Sequence, residues 1–235
     1  MGKLFWGYGN HQVFTRLAAG STLGGYTGSI AVIEAKTIWA EGIDGERTPI
    51  YNRSMPRKVI LGFGISIDGY IARRNGAIDF LVIDKEGETA MADFFAKVDT
   101  TIMGRKTAAV VAKMRKSGEM PDTPGMSSYV ISRRWKPGKR EGFEVVSGSL
   151  TSFVRKLKSR PGKNIYLGGG GELARSFLRE DLVDELYIGV GPMLLGDGIP
   201  GFPGRFPQRD FKLTECKSYS NGSVALRYER IRTKI

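Results

Sequence analysis

Four consecutive glycines, Gly168–Gly171, stand between a short apolar run and a stretch with helical spacing. Glycine carries no side chain, so the backbone N–H groups of such a turn can lie against a ligand. A helix that begins there has a dipole that places about half a positive charge at its N-terminus. Pyrophosphate fits this kind of site, although neither G-x-G-x-x-G nor G-x-x-x-x-G-K-[ST] is matched well. The alternative is that the glycines only allow close packing of a helix on a sheet.

Two further strand-like runs also end in groups that bind anions. The run Thr100–Met103 leads into a turn and a helix start, and the run Tyr129–Ser132 ends in a hydroxyl and two cations. The residues concerned are Gly104, Arg105, Lys106 and Thr107 in the first turn, and Ser132, Arg133 and Arg134 in the second. Because ligands bind at the carboxyl ends of the strands in an open α/β sheet, we expect the three turns to converge on one nucleotide with several phosphates.

The net charge of +12 is concentrated in one part of the chain. Residues 105–163 hold 15 basic and four acidic residues, in clusters at 105–116, 133–140 and 155–163. Three readings of this segment stay open: a nucleic-acid surface, a solvated basic face, and a phosphate-rich cofactor bound by a few of the cations. A nucleic-acid surface usually interleaves aromatic residues with its cations, and this segment has only Tyr129, Trp135, Phe143 and Phe153.

Several chemistries are excluded by counts alone. Cys216 is the single cysteine and His11 the single histidine, so an intrachain disulfide and a zinc site with several histidines cannot form. The nucleobase-deaminase signature is absent, because it needs two cysteines in a Pro-Cys-x-x-Cys motif. There is no uncharged apolar run of about 18 residues and no basic start followed by an apolar stretch. We therefore expect a cytoplasmic protein with no metal and no membrane span.

The order of elements predicts an α/β domain. Residues 1–54 hold nine glycines and little periodicity, and they are interpreted as a poorly ordered extension that is not necessarily native, or as a small lid or oligomerisation arm. From Met55 onwards strand-like and helix-like runs alternate in one domain, 55–235. They include a predicted helix from Ala90 to Lys97 and predicted strands at 143–146 and 164–167. Asn221-Gly222 then predicts a hairpin. Strands that alternate with helices and are followed by a C-terminal hairpin are typical of a mostly parallel sheet with an antiparallel edge.

A set of motifs in a fixed order resembles the dihydrofolate reductase-like superfamily. The motifs are SIDGYIA (66–72), IDFL (78–81), IMGRKT (102–107), ISR (131–133), IYLGGGGELARSFL (165–178) and DELYIGVGPMLLGDGIPGF (184–202). They are most similar to the C-terminal reductase domain of the bifunctional riboflavin-biosynthesis deaminase-reductase and its stand-alone relatives. The resemblance spans about residues 57–231. It implies a doubly wound α/β fold, with helices on both faces of a mostly parallel sheet and a C-terminal antiparallel hairpin.

The resemblance also implies NADPH as the cofactor. Gly104, Arg105, Lys106 and Thr107 would then hold phosphate and ribose, and Ser132 and Arg133 would face the adenosine 2′-phosphate. Gly168, Gly169, Gly170 and Gly171 would hold the pyrophosphate, together with the N–H groups of Glu172 and Leu173. The end of the first strand, residues 65–72, would line the nicotinamide and the substrate.

The catalytic residues are less clearly marked. Folate reductases place a carboxylate on the helix before IMGR, and the nearest candidate is Glu88, which is otherwise a solvated carboxylate. Asp68 is either a turn-former, as Asp-Gly usually is, or a substrate contact. We expect a small heterocyclic substrate: first the ribosylamino-uracil of riboflavin synthesis, second a pterin or folate. Relatives of this kind often pair as homodimers. The competing class is a basic nucleic-acid-binding domain.

Overall fold

The computed structural model describes residues 57–120 and 123–232 and, within the first 51 residues, only the backbone of four short strands. The strands are β1 Phe5–Tyr8, β2 His11–Phe14, β3 Ile38–Glu41, β4 Arg47–Tyr51, β5 Val59–Ser66, β6 Tyr70–Ala72, β7 Val98–Gly104, β8 Ser127–Ile131, β9 Gly138–Arg140, β10 Phe143–Val146, β11 Asn164–Leu167, β12 Glu185–Gly191, β13 Ile199–Pro200, β14 Phe211–Ser218 and β15 Val224–Arg230. The helices are α1 Lys85–Phe95, α2 Arg105–Ser117, α3 Leu150–Lys158 and α4 Gly171–Arg179.

A nine-stranded sheet organises residues 57–232. Its strand order is β14-β15-β12-β5-β11-β7-β8-β10-β9. The six strands from β12 to β10 in this order pair in parallel, the hairpin β14–β15 adds antiparallel to β12, and β9 adds antiparallel to β10. The predicted fold class, a mostly parallel sheet closed by a C-terminal antiparallel hairpin, is confirmed.

Helices cover both faces of this sheet, because apolar side chains on its central strands alternate between two cores. On β5, Val59 and Leu61 pack in a cluster with α3 and α4, whereas Ile60 packs with Phe94 of α1. Met103 of β7 packs with α2. Thus α3 and α4 lie on one face, and α1 and α2 lie on the other. None of the described helices combines the length and the apolar character needed to cross a membrane.

Helix α1 begins earlier than its apolar spacing predicts. The sequence favours a helix from Ala90, but the structure starts it at Lys85 with Asp84 as the N-cap. The Asp84 carboxylate accepts a hydrogen bond from the Gly87 N–H at 2.8 Å, and Glu86 and Glu88 lie in the first turn. Acidic residues there stabilise the positive end of the helix dipole. The polar stretch after Asp84 is therefore helix rather than loop.

The chain divides into two compact units, Met1–Pro56 and Arg57–Ile235. In the first unit, β1–β4 pair in sequence order as an antiparallel sheet. The predicted extension over residues 1–54 falls on residues most of which lie outside the described ones, and its nature stays a prediction.

Candidate functional site

A cleft of about 2140 Å³ follows the carboxyl ends of the parallel strands in the described part of the chain. Drug-sized ligands usually occupy about 300–1,000 Å³, so this cleft has room for a dinucleotide and a second molecule. It is lined by all of the residues predicted for cofactor binding: Gly104, Arg105, Lys106, Thr107, Ser132, Arg133, Gly168, Gly169, Gly170, Gly171, Glu172 and Leu173. The structure thus brings the three predicted turns together.

The turn between β7 and α2 places two cations at a helix N-terminus. Gly104 is the N-cap of α2, and no side chain caps the free N–H groups of the first turn. Arg105 and Lys106 occupy that turn, which has no acidic residue, and neither forms an ion pair with a described residue. Cations at the positive end of a helix dipole are electrostatically unfavourable. A bound anion would offset this repulsion.

The glycine turn between β11 and α4 combines two different requirements. Gly169 and Gly170 have φ angles of +76° and +87°, a region that favours glycine. A Cβ atom at Gly169 would meet nothing within 4 Å, and one at Gly170 would lie 3.6 Å from Thr107 Oγ1. A Cβ atom at Gly171, in contrast, would overlap the Pro200 carbonyl oxygen. Gly171 therefore serves packing, whereas Gly169 faces open space in the cleft.

The N–H groups of this turn are unequally available. The Leu173 N–H donates to the Gly170 carbonyl at 2.9 Å, and the Gly168 N–H donates to the Ile102 carbonyl at 2.9 Å. This donor already has an acceptor within the chain, and the contact of the Leu173 N–H with a phosphate stays a prediction. The N–H groups of Gly169, Gly170, Gly171 and Glu172 donate to none of the described residues. These four N–H groups lie beside the N-terminus of α2. Together, the N–H groups of residues 169–172 and the first turn of α2 form the anion-binding corner.

Ser132 shapes the turn that follows β8. It is 7% exposed, and its hydroxyl oxygen accepts hydrogen bonds from the N–H groups of Arg134 (3.1 Å) and Trp135 (2.9 Å). A serine oxygen has two acceptor sites and one proton, so only the proton is left to donate into the cleft. Arg133 is exposed and forms no ion pair with a described residue. Sequence reasoning found this hydroxyl but not its role in ordering the turn.

Neither predicted catalytic carboxylate lines the cleft. Asp68 accepts hydrogen bonds from the Ser66 hydroxyl (2.5 Å) and from the N–H groups of Leu195 (3.1 Å) and Gly196 (2.7 Å). The Ser66 hydroxyl, followed by these N–H groups, lowers the pKa of Asp68. Asp68 thus joins the turn before β6 to the loop after β12. Glu88 is exposed on α1, and the cleft-lining side of that helix carries Gly87 and Met91 instead.

The other end of the cleft is apolar. It is formed by residues 62–64 of β5, by residues 78 and 80–83, by one side of α1 and by the tip of the C-terminal hairpin. Tyr166 lies against this end, and its hydroxyl donates to the Gly62 carbonyl at 3.0 Å. Burial raises the pKa of Tyr166 to about 12. The sequence predicted residues 65–72 for this end of the cleft, and of that range Ile71 and Ala72 line it. The residues of α1 and of the hairpin were missed, because apolar side chains at helical or strand spacing usually form core.

Comparison with known proteins places this geometry in a family. The chain is 33% identical over 177 residues to the uncharacterized protein YwjB of Bacillus subtilis, covering 75% of this chain and 99% of that protein. Among solved structures, a proposed riboflavin biosynthesis protein from Shewanella sp. PV-4 is 27% identical with a TM-score of 0.65, over 74% of this chain and 99% of that one.

A more distant structure shows the fold alone. Dihydrofolate reductase from Enterococcus faecalis, complexed with NADP(H) and RAB-propyl, is 14% identical with a TM-score of 0.50, over 74% of this chain and 96% of that one. Residues 57–225 match the family described as the RibD C-terminal domain. Residues 57–225 make up most of the chain, which therefore belongs to the RibD C-terminal domain family and shares the fold of dihydrofolate reductase.

Proposed function

We propose that this protein is an NADPH-dependent reductase of a small heterocyclic substrate. The observation that carries the proposal is the anion-binding corner, where the N-termini of α2 and α4 meet beside cations without acidic partners. A dinucleotide phosphate supplies the negative charge that this corner needs. NADPH, when bound, supplies the hydride, so the chain's own work is to bind, orient and exclude water.

The donor set fits the separate parts of NADPH. The N–H groups of residues 169–172 would hold the pyrophosphate. Residues 104–107 would hold phosphate and ribose through the α2 N-terminus, two cations and a hydroxyl. Ser132, through its remaining proton, and Arg133 would meet the 2′-phosphate. The nicotinamide would then face the apolar end of the cleft.

Hydride transfer leaves a proton to be supplied, and the described residues offer no evident carboxylic acid for it. Glu172 and Glu180 line the cleft, but each is paired with an arginine of α4. Glu88 and Asp68 do not line the cleft. Asp84 does, but its hydrogen bond from the Gly87 N–H lowers its pKa, so this carboxylate stays ionised near neutral pH. Water or the substrate's own groups would supply the proton. The family resemblance nominates 5-amino-6-(5-phosphoribosylamino)uracil as the substrate, and a pterin or folate is the second candidate.

A nucleic-acid surface is the competing proposal, and the fold weakens it. The basic clusters on α2 and at the end of α3 lie on opposite faces of the sheet, because the two helices pack in different cores. A duplex or single strand would meet only part of the +12 charge. Small-molecule binding uses the cations of one edge and does not need a continuous basic surface.

Titration of the full chain with NADPH, NADH and a random oligonucleotide at two salt concentrations tests the proposal. We expect NADPH to bind in preference to NADH by about a hundredfold, because two charge-assisted contacts to the 2′-phosphate each contribute about 1.5–3 kcal/mol before screening. Oligonucleotide binding should collapse with salt. Equal affinity for the two cofactors, with salt-resistant oligonucleotide binding, would favour the competing function.

A further inference from the structure

A second cavity, of about 290 Å³, lies between α1 and the strands β12, β14 and β15. It is separate from the cleft because it uses another side of α1. Gly87 and Met91 of that helix line the cleft, whereas Thr89 and Asp93 line the second cavity. Its volume is close to the lower end of the about 300–1,000 Å³ that small-molecule sites usually have. The second cavity therefore has room for a small molecule.

Charges of both signs line this second cavity. Glu86 of α1 and Lys217 of β14 form an ion pair at 2.8 Å. Asp93 and Lys97 are exposed and form no ion pair with a described residue. The lining carboxylates and cations are equal in number: Glu86, Asp93 and Glu215 against Lys97, Lys217 and Arg227. At least one carboxylate and one cation are thus left for a ligand that carries both signs.

Arg227 is a cation of this cavity that is only partly satisfied. Its acidic partner is Glu215, with 3.7 Å between Nη1 and Oε2, which is too long for a hydrogen bond. Its Nε atom is buried and has no hydrogen-bond partner among the described residues. The guanidinium carbon lies 5.2 Å from the centre of the Tyr187 ring, a cation–π contact that uses none of its N–H groups. Because a guanidinium can pair with a carboxylate through two N–H groups, Arg227 keeps the capacity to bind one.

An aromatic wall stands between the second cavity and the cleft. Phe94, Tyr187 and Tyr219 line both. Phe94 is 4% exposed, and its ring stacks on Tyr187 with 4.9 Å between the ring centres and 17° between the planes. Such a wall offers apolar surface to the side chain of a ligand. The second cavity thus combines charges of both signs with an apolar wall.

We infer that the second cavity binds a small zwitterion of the α-amino acid type. The carboxylate of the ligand pairs with Arg227 and Lys97, and its ammonium group pairs with Asp93. The side chain of the ligand packs on the aromatic wall. Equal numbers of lining carboxylates and cations favour a ligand without net charge over a phosphate compound. Since this site is separate from the anion-binding corner, the inference does not depend on the proposed reductase function.

Leucine and two analogues that each lack one charge test this ligand class. 3-Methylbutylamine is leucine without its carboxylate, and 4-methylpentanoate is leucine without its ammonium group. NMR titration of the full chain, alone and saturated with NADPH, gives a dissociation constant for each. We expect leucine to bind with a dissociation constant of about 1 mM or lower, and at least about tenfold more tightly than either analogue. Saturation with NADPH should leave the leucine affinity within about twofold.

Three variants locate the site. Asp93→Asn removes the carboxylate that meets the ammonium group, and Arg227→Lys keeps the charge but removes the guanidinium fork. Each should weaken leucine binding by about tenfold or more and leave the NADPH affinity within about twofold. Glu144→Gln is the control, because it neutralises an exposed carboxylate of β10 that lines neither cavity. It should alter neither affinity.

Three results would overturn the inference. The first is leucine binding that is absent or no tighter than that of an analogue, which would mean that the second cavity holds only water. The second is a leucine affinity within about twofold of wild type in folded Asp93→Asn. The third is displacement of leucine by NADPH, which would place leucine in the cleft. Failure of the proposed reductase function gives a different pattern, in which NADPH does not bind although leucine keeps its preference over both analogues.

Discussion

Replacement of Gly169 by alanine separates the ligand-binding role of the glycine turn from its packing role. The residue has φ +76°, and an added methyl group would meet nothing within 4 Å. The left-handed conformation costs alanine about 1–2 kcal/mol, so we expect the free energy of unfolding to fall by that amount. The fold should otherwise be kept, because the methyl group displaces no neighbour.

The effect of Gly169→Ala on NADPH should be larger than its effect on stability. The methyl group would stand where the pyrophosphate approaches the free N–H groups of the turn. Loss of one hydrogen bond to a charged group costs about 1.5–3 kcal/mol, or roughly ten- to hundredfold in affinity. Fluorescence titration of NADPH gives the dissociation constant, and chemical denaturation gives the stability.

Two control variants make this result interpretable. Gly118→Ala has the same backbone cost, since Gly118 has φ +80° and open space, but Gly118 is the C-cap of α2 and does not line the cleft. It should lose stability and keep NADPH affinity. Gly171→Ala would overlap the Pro200 carbonyl oxygen and lie 3.1 Å from Pro203 Cδ, so it should lose more stability. A folded Gly169→Ala protein with NADPH affinity within about twofold of wild type would show that the pyrophosphate does not approach the N–H groups of this turn.

Arg133→Ala should weaken NADPH about tenfold more than NADH in paired titrations, and Lys156→Ala, an exposed change on α3 outside the cleft, should weaken neither. Burial raises the pKa of Tyr166 to about 12, so the stability advantage of wild type over Tyr166→Phe should be full below about pH 10 and lost as pH rises towards 12 in denaturation curves. Asp68→Asn should destabilise the protein at pH 7, because the Ser66 hydroxyl holds the pKa of Asp68 below its ordinary value; that difference should shrink as pH falls below about 4. A chain that starts at Met55 should melt within a few degrees of the full chain and bind NADPH equally well, and an insoluble product would contradict this.

Most of the main sheet could be predicted from the sequence. The predicted strands at 143–146 and 164–167 coincide with β10 and β11, since short apolar runs bounded by glycine, proline or charged residues mark strand ends well. The strands β6, β9 and β13 were missed because two or three residues cannot show alternation. The early start of α1 was signalled only by its N-cap, Asp84, inside a polar stretch.

The parts of the candidate site that could be predicted are those whose residues are neighbours in the sequence. Strand ends followed by glycine and cations are visible in the sequence, and the fold brings them to one edge. Contacts made through space are not visible in this way. The overlap at Gly171 depends on Pro200, and the hydrogen bonds of Asp68 reach Leu195 and Gly196 far along the chain. Such contacts decide whether a glycine or a carboxylate serves packing or binding.

A crystal structure of the full chain with NADPH would show whether the anion-binding corner holds the cofactor's phosphates. We expect the pyrophosphate within hydrogen-bonding distance of the N–H groups of residues 169–172, and the 2′-phosphate beside Ser132 and Arg133. The nicotinamide should lie at the apolar end of the cleft, beside residues 62–64 of β5. A dinucleotide bound elsewhere, or one whose phosphates avoid both helix N-termini, would contradict the account.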